Sequence, residues 1–170
     1  MRMKKTIPKY TVIKDTREKE GYHFKEYDKC SGMVVETMKT GDYTVKGLED
    51  VLCVERKASV AEISNNLGRK KSAFLAEMDR MKSFEHSFMV LEFSMTDVLE
   101  FPKGSNIPIS KQRQTRITGK YILKSLLEFQ INYGINIIFC DNKYNAFLVT
   151  NSIFKRLNEH FNTIFKVDYE

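Results

Sequence analysis

The feature that most constrains this chain is a pair of alternating, β-rich segments folded about one glycine. It runs from Gly41-Asp42-Tyr43 to Val54-Glu55-Arg56-Lys57. The residues between alternate on both sides of Gly47, and Lys46-Gly47-Leu48-Glu49-Asp50 carries the glycine and acids of a hairpin turn. Strands are expected over 42–46 and 50–57. Side chains on a strand alternate between faces, so Glu55 and Lys57 share one face and Arg56 takes the other. The turn folds the Asp42 end back beside the Glu55 end. Two carboxylates and one ammonium then converge at one end of a sheet, a set that can hold a divalent cation and poise a water against a phosphodiester.

The remaining elements fall around that hairpin. Tyr10-Thr11-Val12-Ile13 reads as a first strand, with Asp15 to Glu18 at its end, and 33–38 as a second. Residues 1–8 read as a loose arm and 19–31 as a loop. Helical spacing begins after Lys57, with Val60, Ile63 and Leu67 on one face, then Phe74, Leu75, Met78 and Met81 over 71–84. The run 88–91 suits a strand covered on both faces. Thr96 is placed to cap a short helix over 96–100 that Pro102 stops. Residues 102–116 are expected to be a long structureless loop. A helix over 118–132 ends at Gly134, a buried strand covers 135–140, and Ala146 to Leu157 mark a last helix. This order of elements predicts an α/β fold, a mixed sheet covered by helices, within one domain of 170 residues.

Composition narrows the functional classes. A net charge of +6 suits nucleic acid as a partner, and equally a soluble protein that happens to be basic. Cys30, Cys53 and Cys140 have neither metal-ligand spacing nor the pattern of a disulfide framework, which favours a reducing, intracellular setting. No apolar run approaches the roughly 20 residues needed to cross a bilayer. The N-terminus is basic without a following apolar region, so no signal peptide is expected and no membrane partner.

Asp42 and Glu55 are the expected metal pair, with the Arg56 backbone carbonyl as a further ligand and Lys57 to orient or deprotonate the attacking water. The competing reading is a surface hairpin with a salt bridge, since an Asp-Glu-x-Lys spacing occurs often by chance. Asp15 and Glu18 are a second acidic group at the end of a hydrophobic strand. Their competing reading is a helix cap.

Together, V-I-K-D-T-R-E at 12–18, G-D-Y at 41–43 and V-E-R-K at 54–57 resemble the XPF (ERCC-type) family of structure-specific endonucleases, within the PD-(D/E)xK nuclease superfamily. The resemblance covers about 10–160. It implies a restriction-endonuclease-like fold, Mg²⁺ or Mn²⁺ as cofactor, and branched or structured DNA as substrate. Asp42, Glu55 and Lys57 would form the metal and catalytic core, with Asp15 and Glu18 as upstream acids near the metal and Asp15 as a further metal ligand. Arg17 and Arg56 would contact DNA or brace the acids. The family usually has one more acid four residues after the E-R-K lysine, and here that place is Ala61, beside Glu62. The helix-hairpin-helix and helicase domains of larger members are not expected in this chain. A homodimer through helix 118–132 and strand 135–140 is implied, and no nucleotide cofactor.

Two basic groups are candidates for DNA phosphates: Arg69, Lys70 and Lys71, and the 102–116 segment with Lys111, Arg113 and Arg116, extended by Lys120. The competing reading for each is a solvated basic face. The expected activity is hydrolysis of flap, fork or junction DNA. The alternatives are a resolvase- or restriction-like nuclease on duplex DNA, and a DNA-binding module of the same fold that has lost activity.

Overall fold

The computed structural model describes the backbone of residues 7–167 and the side chains of 7–161; most of the expected N-terminal arm lies outside the described residues. The strands are β1 (Tyr10–Asp15), β2 (Cys30–Glu36), β3 (Tyr43–Val45), β4 (Leu52–Lys57), β5 (His86–Leu91) and β6 (Asn136–Phe139). The helices are α1 (Val60–Leu67), α2 (Lys71–Met81), α3 (Met95–Glu100), α4 (Ile109–Gln112), α5 (Gly119–Tyr133) and α6 (Lys143–Val167). The strands form one mixed sheet in the order β2-β1-β3-β4-β5-β6. β3 runs antiparallel to both β1 and β4, while β1–β2, β4–β5 and β5–β6 are parallel. This is the restriction-endonuclease-like arrangement of a mixed sheet flanked by helices.

Alternation along β4 divides the core in two. Cys53 joins Met89 and Leu91 of β5 against α1, α2, α3 and α5. Leu52 and Val54 join Val90 of β5, Phe154 of α6 and an aromatic loop carrying Tyr22 and Phe24. Tyr22 stacks on Tyr43, whose hydroxyl accepts the Tyr22 N–H at 2.6 Å. That loop is therefore packed core, and only Tyr27 on it is a largely exposed aromatic. All three cysteines are buried and unbridged. Among the described residues no helix is long and apolar enough to cross a membrane.

Several boundaries differ from the sequence reading, each for a local reason. β2 starts earlier, at Cys30, because Tyr10 and Cys30 already pair at the start of β1. Ser94 rather than Thr96 caps α3: its hydroxyl accepts the Asp97 N–H, and the Asp97 carboxylate accepts the Ser94 N–H in return. The 102–116 segment is not wholly structureless, since α4 forms one turn after Pro108. Gly134 ends α5 in the left-handed conformation, as its position predicts.

Gly41 has the tightest conformational requirement near β4. Its φ is +78°, and a Cβ there would lie 2.5 Å from Cys53 Sγ and 3.2 Å from the Val54 carbonyl. Only glycine lets the chain turn this close to β4 before Asp42. Gly41→Ala is expected to destabilise the protein by about 1–3 kcal/mol through strain and overpacking. Urea denaturation against wild type measures this, and an unchanged midpoint would refute it.

Candidate active site

Asp42 sits where β3 begins and is clipped to β4 twice. Its N–H donates to the Val54 carbonyl at 2.9 Å, and its carboxylate Oδ2 accepts the Arg56 N–H at 2.8 Å. The side chain thus replaces a rung of the ladder just where β3 pairing stops. In a strand the N–H and C=O of one residue point to the same side, so the Arg56 carbonyl leaves β4 toward Asp42.

On the helical face of β4, the Lys57 ammonium donates to Glu55 Oε1 at 2.6 Å. Both side chains are buried, and Lys57 also lies 5.0 Å from the centre of the Phe74 ring on α2. The other Glu55 oxygen, Oε2, is buried with no hydrogen-bond partner. A buried carboxylate oxygen without a donor is costly unless something positive completes it. Burial, with the negative charge of nearby carboxylates, pushes the Asp42 carboxyl up to about 7. Burial likewise raises Glu55 well above the carboxylate range, against the pull of Lys57 and with a further push from Asp42. Burial alone would lower Lys57, but the charges of Glu55 and then Glu62 outweigh it and hold the ammonium protonated. Ionised together, Asp42 and Glu55 would carry more negative charge than Lys57 can balance, and burial with that excess pushes both toward the protonated form. A hard cation with oxygen ligands fits that deficit, between Asp42, Glu55 and the Arg56 carbonyl. Among the described residues no three His, Cys, Asp or Glu side chains gather closely enough to hold an ion by themselves. A cation here would therefore need water or substrate oxygens as well, as Mg²⁺ usually does.

Arg56 occupies the opposite face, as alternation predicts. It donates to both oxygens of Glu92 at 2.7 and 2.9 Å, reaches Glu18 at 3.3 Å, and lies 5.6 Å from the centre of the Tyr22 ring. Burial would lower its pKa, but Glu92 and Glu18 more than offset this and hold it fully charged. Arg56 is thus a brace between the end of β5 and the segment after β1. Glu18 is drawn into that brace, with its charge still felt at Asp42.

The chain matches the ERCC4 domain family over residues 14–153. It belongs to that family. Among solved structures it is similar to XPF from Aeropyrum pernix, with 17% identity and a TM-score of 0.59, over 85% of this chain and 60% of that one. A second structure, XPF from Aeropyrum pernix in complex with DNA, gives 17% identity and a TM-score of 0.60, over 89% of this chain and 66% of that one. This chain therefore spans less than two thirds of the first and about two thirds of the second. At that identity the likeness is one of fold, the XPF-type nuclease fold. No curated protein matches the chain.

Within this ERCC4 domain the sequence-predicted residues separate clearly. Asp42, Glu55 and Lys57 come together. Asp15 stands beside them, its N–H donating to the Asp42 carbonyl at 2.8 Å, while its carboxylate accepts from the Met38 N–H at 2.6 Å, and from the Arg17 N–H at 2.9 Å and Nε at 2.6 Å. Arg17 also donates to the Met38 carbonyl, so this pair fastens the chain leaving β1 to the end of β2. Lys71 donates to the Tyr121 hydroxyl at 3.1 Å. Arg69, Lys111 and Arg116 line one groove, while Lys70, Arg113 and Lys120 are exposed outside it. Ala61 adds no acid. Glu62 instead accepts the Ala58 N–H at 2.9 Å and lies 3.7 Å from Lys57, helping to start α1 and to hold the ammonium.

Sequence reading missed Glu77 and the pairing role of Glu92. Glu77 lies on α2 between Phe74, which faces Lys57, and Arg80, which donates to Thr40 at 3.0 Å just before Gly41. Its charge acts on Asp42, Glu55 and Lys57 alike. The available signal was its spacing of three from both Phe74 and Arg80, which puts all three on one side of α2.

Burial opposes the charged form of Asp15, but the bonds from Arg17 and Met38 outweigh it and lower its pKa. A lowered folded-state value contributes stability that is present above the unfolded value of about 3.9 and is lost as pH falls through the folded value. Asp15→Asn is expected to lose about 1.5–3 kcal/mol at pH 7, the worth of hydrogen bonds to a charged group. The gap to wild type should shrink below pH 4. Denaturation midpoints at pH 7 and pH 3 measure it, and a gap independent of pH would refute it.

Proposed function

We propose that this ERCC4 domain is a divalent-metal-dependent endonuclease that hydrolyses phosphodiesters in branched or structured DNA. The observation that carries the reading is the buried Glu55 Oε2 without a partner, beside Asp42 and the protonated Lys57. Mg²⁺ or Mn²⁺ on Asp42, Glu55 and the Arg56 carbonyl would supply positive charge against the negative charge that develops on the phosphate, and would favour hydroxide at neutral pH.

The chain's own groups divide the remaining work. Asp42 is oriented by the Arg56 N–H, so its second oxygen is left for the cation. Lys57 stays protonated and therefore acts as a donor: it orients the attacking water or stabilises the equatorial oxygens of the transition state. The apolar wall around it, Phe74 included, keeps those interactions strong by excluding water. Arg56 acts through position, holding β4 in register from behind. The DNA seen with the Aeropyrum pernix XPF supports DNA as the substrate class here.

The test is cleavage of labelled flap, fork, junction and blunt duplex DNA with Mg²⁺ or Mn²⁺. Wild type is expected to cut the branched substrates, and Asp42→Asn and Lys57→Ala to cut about 10²–10³-fold more slowly, the usual effect of losing a group that stabilises developing charge. Glu55→Gln should also abolish Mn²⁺ binding in calorimetry. Equal nicking by wild type and variants, or preferred cutting of blunt duplex, would defeat the reading.

The homodimer belongs to the same proposal. α5 leaves Leu127 and Ile131 exposed one turn apart, and β6 has an open edge beyond β5. Light scattering is expected to give twice the mass of a 19.9 kDa chain for wild type and one chain for Ile131→Glu. A wild-type monomer at high concentration would rule the dimer out.

A further inference from the structure

The groove that contains Arg69, Lys111 and Arg116 has a volume of about 730 Å³. Its floor is one stripe of α1, Ala61 and Ser64, continued by Gly68 just past its end, and the 107–117 segment forms the opposite wall. Three features point to an anionic chain as its occupant. No acid lines the groove. Its three cations are exposed and make no ion pair among the described residues, unlike Lys57, Arg56 and Arg17. No aromatic ring lines it either, so it offers charge and amide or hydroxyl groups but nothing for bases to stack on.

The groove also adjoins a second space near the end of β4. A smaller cavity of about 180 Å³ is lined by Ala58, the residue after Lys57, and Ala61, with Phe93, Asp97, Phe101 and Lys103. Ala61 is thus the wall shared by the two spaces. An acid there, as the family pattern leads one to expect, would put negative charge and bulk on that wall. Alanine leaves it low and neutral. A duplex holds its two backbones apart on a convex surface and could lay only one along the rim, whereas a single strand can enter.

We propose that a single DNA strand leaving the cleavage site passes Ala61 and lies in this groove, with its phosphates on Arg69, Lys111 and Arg116. This rests on reading the site as a DNA nuclease and adds what that reading lacks: a path for the unpaired arm, and hence a reason to prefer branched over blunt DNA. Contact is to the backbone, so the groove discriminates strandedness and not sequence.

The experiment is fluorescence anisotropy in EDTA, where no cleavage occurs, with a flap DNA carrying a single-stranded arm and a blunt duplex of the same paired sequence. The triple variant Arg69→Ala/Lys111→Ala/Arg116→Ala is expected to bind the flap about tenfold or more weakly and the blunt duplex within about twofold of wild type. The slope of log affinity against log salt for the flap should fall by about 2, from three lost contacts at about 0.7 each. Ala61→Asp should also weaken flap binding. Equal losses on flap and duplex, no loss on either, or wild-type flap binding by Ala61→Asp would overturn the groove as the arm's path. Wild type that binds the flap selectively but cuts nothing with any metal would remove the nuclease reading and leave the groove assignment standing.

Discussion

The bond from the Arg56 N–H to the Asp42 carboxylate is the contact on which the site depends. It lies where β3 has stopped pairing and β4 continues, and it turns a side chain into the last rung of a ladder. One oxygen of Asp42 is fixed by this bond, which aims the other. The same contact holds the Asp42 end of β3 beside Glu55. Gly41 makes the close approach possible, and Arg80 of α2 secures Thr40 one residue earlier. Without that approach the two carboxylates would belong to separate strand ends.

β4 works because its two faces do different things. One face buries Glu55 and Lys57 together, with the ammonium against the Phe74 ring. The other sends Arg56 into a buried cluster of Glu92, Glu18 and Tyr22. A buried pair is a weak source of net stability, because desolvation offsets most of the attraction. Its stronger effect is on geometry, since removing one partner strands the other charge. The Arg56 cluster thus ties β4 to the end of β5 and to the chain after β1. It fixes the strand from behind while the front stays free for chemistry.

Much of this was legible in the sequence because strand alternation is a strict rule. It put Glu55 with Lys57 and Arg56 opposite, and apolar spacing located every long helix. Asp15 was ambiguous for a physical reason: an acid at the end of a hydrophobic strand looks the same whether it faces an ion or caps the chain that follows, and its bonds from Arg17 Nε and the Met38 N–H depend on where β2 ends. Glu77 was harder to see because α2 contributes it from outside the motif: spacing puts it on one side with Phe74 and Arg80, but only the packing of α2 turns that side toward β4. The α3 cap moved by two residues because Ser94 and Asp97 complete a reciprocal pair that Thr96 could not.

The alternation of β4 also sets the tolerance of the hairpin to change. The turn after Val45 is held locally, with the Gly47 N–H on Glu49 and the Leu48 N–H on the Val45 carbonyl. Its length is a local matter, and two added residues there would leave both strand faces as they are. A slip of β4 by one residue against β3 and β5 is another case. It would turn Arg56 toward Phe74 and α2 and bury Glu55 and Lys57 among Tyr22 and Glu92. The chain can therefore vary the size of this loop freely, but the parity of the strand is what its chemistry inherits.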